Sequence, residues 1–458
     1  MTRQIPMIVV AGTGSGVGKT SLTLGIVASL KRCGLRVQTF KAGPDYLDPT
    51  YLSRASGRPC YNLDGWMTCR EYLEQLVAEK VQDADAAIVE GVMGLYDGAN
   101  MTDSAGSTAE IARWLNAPVL LVVNAHGAAR SVAAIVHGFA TFQDAPLFAG
   151  VIANHTGSAR HVEGIRQALA GMGLPPLIGA IPRNGLPPLP SRHLGLTTAD
   201  NKTLTDATLS ELADVSERNI AFDSILSLKW SPQAAAVRPK QKTTFVRVGI
   251  ALDEAFHFYY RDNMELLERA GVTWVPFSPT NDKELPAGID ALWLGGGYPE
   301  EHAAALSGNH AMLCSVRKFI SEGHPAYAEC GGLMYLAECL SDREGKTWAM
   351  AGILPVKVRM LSRLKRLGYA AIASRETCLW GPAGARLRGH EFHYSEVEGD
   401  SMPAGWRCAY DATYRDGTTK QEGFWNGRIL ASYIHVHLGS SRTAADEFAA
   451  FLKGYASL

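Results

Sequence analysis

IPMIVVAGTGSGVGKTSLTLG, residues 5–25, decides how the chain begins to fold. Ile5–Ala11 is a short apolar run rich in β-branched residues, which reads as a buried strand. A glycine-rich turn follows, and SLTLGIVASLKRCG (21–34) then carries helical periodicity. Leu35–Phe40 reads as the next strand, which completes a βαβ start. Working outward, Ala86–Val89, Val119–Val123 and Leu147–Ile152 are further buried-type strands with helical stretches between them. This alternation predicts an α/β domain built on a doubly wound parallel sheet.

The pattern changes at Trp230–Thr244 (WSPQAAAVRPKQKTT), where Pro, Ala and Lys replace the periodic segments. Residues 231–245 are therefore expected to be a linker. It divides a phosphate-binding domain (1–230) from a second α/β domain (246–458). The second set of strands begins with Val246–Leu252, Asp290–Leu294 and Ala326–Ala328. It ends with Ile429–Ile434, a strand-like run that leads into His435-Val436-His437.

Composition agrees with this division. A chain of 458 residues is too long for a single core, and 47% hydrophobic residues suffice for two. The formal net charge of -1 gives no global attraction to nucleic acid or to an anionic membrane, so neither is an expected partner. The 8 cysteines form no CxxC pair, which speaks against a zinc cluster and suits a reducing cytoplasm. The N-terminal apolar run is too short for a secretory segment, and no stretch is long enough to span a bilayer. A cytoplasmic enzyme is the expectation.

GTGSGVGKT (12–20) can cradle phosphates with its backbone N–H groups at a helix N-terminus. Gly14, Gly16 and Gly18 keep the loop open. Lys19 would neutralise the β and γ phosphates of ATP, and the Thr20 hydroxyl would ligate Mg²⁺. The strict G-x-x-x-x-G-K-[ST] spacing is not met, because Thr13 stands where the first glycine belongs and Gly12 precedes it. Glu90 ends an apolar strand, where the second acid of a Mg²⁺ site is found in such proteins. It also reads as an ordinary strand-end charge. KAGPDYLDP (41–49) lies beyond the second strand, at the edge where open parallel sheets bind ligands. Asp45 and Asp48 there can hold Mg²⁺, orient a substrate carboxylate, or be solvated turn acids. Asp97 in YDG (96–98), and Arg192 and His193 in SRHLGL (191–196), are loop candidates for meeting substrate.

AECGGL (328–333) is a small-residue strand that turns sharply at Cys330 into a helical pattern, the form of a nucleophile elbow. A helix N-terminus there is expected to favour the thiolate. His435 can serve as the general base, with His437 two residues on along the same strand face. Either histidine also reads as a hydrogen-bonded structural residue. LGGGYPE (294–300) follows a strand and suits an oxyanion hole built from the N–H groups of Gly295, Gly296 and Gly297, with Gly331 beyond the nucleophile.

The segments GTGSGVGKT, KAGPDYLDP, VEGVMGLYDG, SRHLGL, LGGGYPE, AECGGLMYL, GHEFHYSEV and SYIHVHLG resemble, in order and spacing, the cobyrinate a,c-diamide synthase family. The first half is similar to dethiobiotin synthetase, with a P-loop NTPase-like sheet. The second is similar to class I glutamine amidotransferases of the cobyric-acid-synthase type, with a flavodoxin-like fold. The resemblance implies a ligase that phosphorylates carboxylates of a cobyrinate-type tetrapyrrole with ATP. It then amidates them with ammonia from L-glutamine, hydrolysed through a thioester on Cys330. It places Lys19, Thr20 and Glu90 on ATP–Mg²⁺, and Asp45, Asp48 and Asp97 near Mg²⁺ or the substrate carboxylates. Related P-loop ligases are commonly dimers, so a homodimer is the expected assembly.

One departure stands out. Class I glutaminases typically carry H-x-E, whose acid orients the base, whereas this chain has His435-Val436-His437. The subgroup it resembles lacks that acid. Glu391, in GHEFHYS, is a candidate for the missing role. Two other readings stay open. The substrate could be hydrogenobyrinate or Ni-sirohydrochlorin. The chain could also be a regulatory P-loop ATPase with an inert glutaminase-like module, which would turn over nucleotide without making an amide.

Overall fold

The structure, a computed structural model, describes residues 4–189, 203–233, 245–399 and 401–456. The chain divides into two compact units, Met1–Arg238 and Pro239–Leu458.

In the first unit, seven strands form one sheet: β1 (Met7–Gly12), β2 (Val37–Ala42), β3 (Tyr61–Leu63), β4 (Ala86–Glu90), β5 (Val119–Asn124), β6 (Phe148–Thr156) and β7 (Leu177–Pro182). Their order is β3-β2-β4-β1-β5-β6-β7, and every neighbouring pair is parallel. Successive residues of β1 point to opposite faces. Met7 and Val9 enter one apolar cluster with Val89 and Leu121, while Ile8 and Val10 enter another with Leu22, Ile26 and Ile88. This two-sided burial is why β1 and β4 read as nearly unbroken apolar runs rather than alternating ones, while β2 (VQTFKA) is buried throughout although it carries Gln38, Thr39 and Lys41. Each large aliphatic buried this way contributes roughly 1.5–3 kcal/mol. The order puts the carboxyl ends of β2, β4 and β1 side by side. The loops that follow them therefore share one rim.

In the second unit the strands are β8 (Val246–Ala251), β9 (Phe256–Phe258), β10 (Val272–Phe277), β11 (Ala291–Leu294), β12 (Gly296–Gly297), β13 (Ala326–Glu329), β14 (Cys339–Ser341), β15 (Thr347–Ala349), β16 (Lys357–Met360), β17 (Arg366–Ser374), β18 (Arg386–His393), β19 (Ser395–Val397), β20 (Arg407–Tyr414), β21 (Thr419–Trp425), β22 (Ile429–Ser432) and β23 (His435–His437). Five of them, β10-β8-β11-β13-β22, form a parallel core. Numbered along the chain, that core has the order 2-1-3-4-5, the flavodoxin-like winding. The sheet then continues through β21, β20, β17, β18 and β23, all antiparallel. The sequence pattern does not announce this extension.

The extension changes the position of the histidines. The apolar run suggests one strand, Ile429–Ile434, leading into HVH. The chain instead leaves β22 at Ser432 and re-enters the sheet as β23, which pairs with β18 through His390↔His435. Among the described residues, no helix is long and apolar enough to cross a membrane.

Candidate active site

The phosphate loop joins β1 to the helix Lys19–Arg32. Gly16 (φ 75°) and Gly18 (φ 93°) adopt left-handed backbone that a side chain would strain. A Cβ at Gly14 or Gly16 would meet nothing within 4 Å, so the space over the loop is open. The opposite side is filled. A Cβ at Gly12 would lie 2.6 Å from Val17 Cγ2, and one at Gly18 would run into the Asn154 side chain. Asn154 in turn donates to the Val17 carbonyl (2.9 Å). Thr13 is compatible with this loop because its backbone is not left-handed and its N–H donates to the Val122 carbonyl (3.1 Å). Lys19 is buried, and its ammonium donates to the carbonyls of Gly14 (2.8 Å) and Met93 (2.5 Å).

Beneath the loop lies a buried polar cluster. Thr20 Oγ1 donates to Glu90 Oε1 (2.8 Å), and Lys41 Nζ reaches Glu90 Oε1 (2.9 Å) and Asp48 Oδ2 (2.6 Å). All three charged side chains are at most 3% exposed. Removing one member of such a buried pair costs about 3–5 kcal/mol, because it leaves an uncompensated charge. Glu90 Oε2 is buried and has no hydrogen-bond partner among the described residues.

The sequence candidates separate here. Glu90 and Thr20 meet directly, and Asp48 joins them through Lys41, a residue that the motifs do not single out. Asp48 is thus not a solvated turn acid. Asp45 does different work. Its Oδ1 accepts from the N–H groups of Leu47 (2.8 Å) and Asp48 (3.0 Å), which shapes the turn into the helix Asp48–Ser56. Asp97 is exposed and accepts from the Gly94 N–H (2.7 Å). Arg192 and His193 lie outside the described residues.

In the second unit, Cys330 stands between β13 and the helix Gly331–Leu336 with φ 47° and ψ -95°. Its N–H donates to the Ser432 carbonyl (2.8 Å) across the β13–β22 pair. A non-glycine residue held in such backbone costs about 1–3 kcal/mol and persists only where its surroundings impose it. Burial pushes the Cys330 thiol well up, the charges of Glu300 and Glu329 add to this, and the Gly331 N–H opposes it. The expectation that the helix N-terminus favours the thiolate is therefore corrected for the resting state. Desolvation outweighs a helix of six residues.

The glycine loop is not uniform. The Gly295 N–H donates to the Tyr259 hydroxyl (2.9 Å) and is thereby committed, so Gly295 drops out of the oxyanion set. Gly296 and Gly297 form β12 against β9. A Cβ on Gly331 would lie 3.1 Å from Pro299 Cδ and 3.2 Å from the Gly297 nitrogen, so the two loops pack backbone to backbone. A Cβ on Gly296 would lie 3.3 Å from His435 Nε2 and closer still to Cε1. Gly296→Ala is therefore expected to displace the imidazole. The expected result is about 10²-fold slower glutamine hydrolysis and roughly 1–3 kcal/mol less stability in a denaturant titration. Native hydrolysis by that variant would show that the ring does not need its position.

His435 is 1% exposed and stacks on His390 with ring centroids 5.2 Å apart. Its Nε2 edge faces Gly296, and its Nδ1 lies 3.7 Å from Glu329 Oε2. Glu391, the candidate for orienting the base, accepts from the Tyr414 hydroxyl (3.0 Å) and pairs with Arg366 (3.3 Å). His437 accepts from the Gly439 N–H at Nδ1 (3.2 Å) and turns Nε2 to Asp262 Oδ2 (3.2 Å). That is the hydrogen-bonded structural reading of His437. The motifs single out neither Lys41 nor Glu329, though both stand inside the quoted segments, and they do not reach Asn154 or Tyr259. Of these, Lys41 carries a sequence signal, as the lone cation of the strand VQTFKA.

Comparison with known proteins adds to this geometry. Residues 8–196 match the family model described as the CobQ/CobB/MinD/ParA nucleotide binding domain. Residues 247–443 match the CobB/CobQ-like glutamine amidotransferase domain. The chain is 54% identical over 454 residues to the cobyrinate a,c-diamide synthase of Syntrophotalea carbinolica, covering 98% of this chain and 99% of that one. It is 41% identical to the protein of that name from Salmonella typhimurium, covering 94% of each. A solved structure of a glutamine amidotransferase aligns with 46% of this chain and 99% of its own, at 19% identity and a TM-score of 0.33.

Proposed function

Because the chain belongs to the cobyrinate a,c-diamide synthase family, we propose that it amidates the a and c acetate carboxylates of cobyrinate, in cobalamin biosynthesis, through acyl-phosphate intermediates. It is an ATP-dependent ligase that takes its amido group from glutamine. The observation that carries the site assignment is the pairing, in one chain, of an open phosphate loop and a strained, buried Cys330 whose following glycine packs on the glycine loop that also flanks His435.

In this reading Cys330 Sγ attacks the carboxamide carbon of glutamine as His435 Nε2 takes the thiol proton. The proton passes to the departing ammonia as the C–N bond breaks, and water then cleaves the thioester to glutamate. The N–H groups of Gly297 and Gly331, whose backbones pack closely, hold the developing oxyanion. Gly296 keeps the space that the imidazole needs.

Gly14, Gly16 and Gly18 cradle the ATP phosphates, and Lys19 leaves its two carbonyl partners to meet them. The residues present fit Mg²⁺. Thr20 Oγ1 and Glu90 are already together, and Glu90 Oε2 is buried without a hydrogen bond. Among the described residues no cluster of three His, Cys, Asp or Glu could hold a metal alone, which suits an ion coordinated largely by phosphate and water. When bound, Mg²⁺ would offset the charge of the transferring phosphoryl group. On the family resemblance Asp45, Asp48 and Asp97 are assigned near Mg²⁺ or the ring carboxylates, and Arg192 and His193, as loop residues, to the anionic groups of the ring. We also assign the protein to the cytoplasm, as a homodimer.

The substrate is tested by incubation with ATP, glutamine and each of cobyrinate, hydrogenobyrinate and Ni-sirohydrochlorin, with amides counted by mass spectrometry. Cobyrinate is expected to gain two amides. Turnover of another ring with cobyrinate untouched would overturn the assignment, and ATP hydrolysis with no amide on any ring would point to the regulatory ATPase.

A further inference from the structure

The glutaminase reading leaves the general base without the acid that normally orients it. Two residues after His435, where that acid would stand, is His437. Its ring is engaged by Asp262 and by the Gly439 N–H, and an imidazole cannot replace a carboxylate there. Resting on the proposed glutaminase chemistry, we propose that Glu329, the residue immediately before the nucleophile, is the positioning acid for His435.

The geometry carries this in three parts. First, Glu329 holds β23 at two points. Its Oε1 accepts from the Val436 N–H (3.3 Å), and its Oε2 lies 3.7 Å from His435 Nδ1. One carboxylate thus holds the backbone beside the base by a hydrogen bond and lies next to the ring nitrogen turned away from the glycine loop. Second, the carboxylate is itself held. The Tyr327 hydroxyl donates to Oε1 at 2.6 Å, and Tyr327 is clamped between Trp293 (5.2 Å) and Trp380 (4.8 Å). Glu329 and His435 are 4% and 2% exposed at the side chain, so little water screens them.

Third, the other titratable groups around His435 do not fill the role. From β18, His390 and His393 are driven toward the neutral form, chiefly by burial. Glu391 feels the charge of His435, but its two oxygens are taken by Tyr414 and Arg366. The Cys330 thiol is protonated at rest. A separation of 3.7 Å exceeds a hydrogen bond, but such contacts commonly tighten only with substrate bound.

The strand explains the arrangement. Side chains alternate along β13, so Tyr327 and Glu329 share one face while Cys330 is turned out at the elbow. Nucleophile and acid therefore come from adjacent residues whose side chains leave the strand end in different directions.

Glu329→Gln tests the assignment, because the amide keeps an acceptor for Tyr327 and Val436 but removes the charge. The glutamine-dependent kcat is expected to fall about 10²-fold with KM within about threefold, and amidation fed by ammonia should be unchanged. Tyr327→Phe, which only loosens Glu329, should show the same direction more weakly, and it decides the matter if Glu329→Gln does not fold. A kcat within about threefold of the parent, or a loss confined to KM, overturns the proposal. Loss of the ammonia-fed reaction as well would instead count against the two-site reading on which it rests.

Discussion

Cys330→Ser is expected to remove glutamine-dependent amidation, by at least about 10⁴-fold, while amidation supplied with ammonium salts continues at close to the parent rate. The reason lies in the resting site. Burial already holds the Cys330 thiol protonated, with the carboxylates of Glu300, Glu329 and Glu391 adding to the effect. A buried hydroxyl is far harder to ionise than a thiol, and the neighbouring imidazole cannot make up the difference. The fold should tolerate the change, since serine is almost the same size and the strained backbone is unaltered. The ammonia-fed reaction survives because acyl-phosphate formation belongs to the phosphate loop, in the other compact unit. Measuring both reactions on one preparation is decisive, and loss of both would argue against two separate sites.

The complementary result is expected from Lys19→Ala. Ammonia-fed and glutamine-fed amidation should both fall by at least about 10³-fold, because the phosphates lose the cation that offsets charge in the transition state. Glutamine hydrolysis assayed without ATP or tetrapyrrole should persist. The Lys19 ammonium donates to two carbonyls, those of Gly14 and Met93. Its replacement therefore costs far less in folding than loss of Lys41, which holds two buried carboxylates. Amidation by Lys19→Ala near the parent rate would remove the loop from the mechanism.

Particular residues show why some of this is readable in the sequence and some is not. The phosphate loop is legible because its chemistry is local. Positive φ at Gly16 and Gly18, and open space over Gly14, leave a direct mark as glycine. Cys330 is legible for the same reason, with a small-residue strand before it and two glycines after. Parallel strands such as β1, β4 and β5 are legible because burial on both faces gives nearly unbroken apolar runs, whereas β3, β7 and β10 are not read in the sequence, being short, glycine-interrupted or buried only at the ends. The antiparallel half of the second sheet is not, because runs such as RLGYAAIAS mix charge, glycine and small residues without a clean period.

The remaining failures are matters of tertiary contact. Nothing in GGG tells which N–H is spent on Tyr259. Nothing in FKAG tells that Lys41 will bridge Asp48 and Glu90. The usual spacing puts the orienting acid downstream of His435, and Glu391 is the nearest substitute that the motifs offer. Glu329 passes as a mere neighbour of the nucleophile, since its direction is set by the strand and not by its distance in sequence.

The backbone of Cys330 has an evolutionary corollary. At φ 47° and ψ -95° glycine would be at ease and cysteine is not, so the position withholds about 1–3 kcal/mol from folding for as long as it carries a thiol. A duplicated copy freed from hydrolysing glutamine would gain stability from Cys330→Gly, and random drift would run downhill toward that change. The cysteine is therefore a residue that selection has to keep restoring, and its presence in a chain is a trace of continuing demand for ammonia drawn from glutamine.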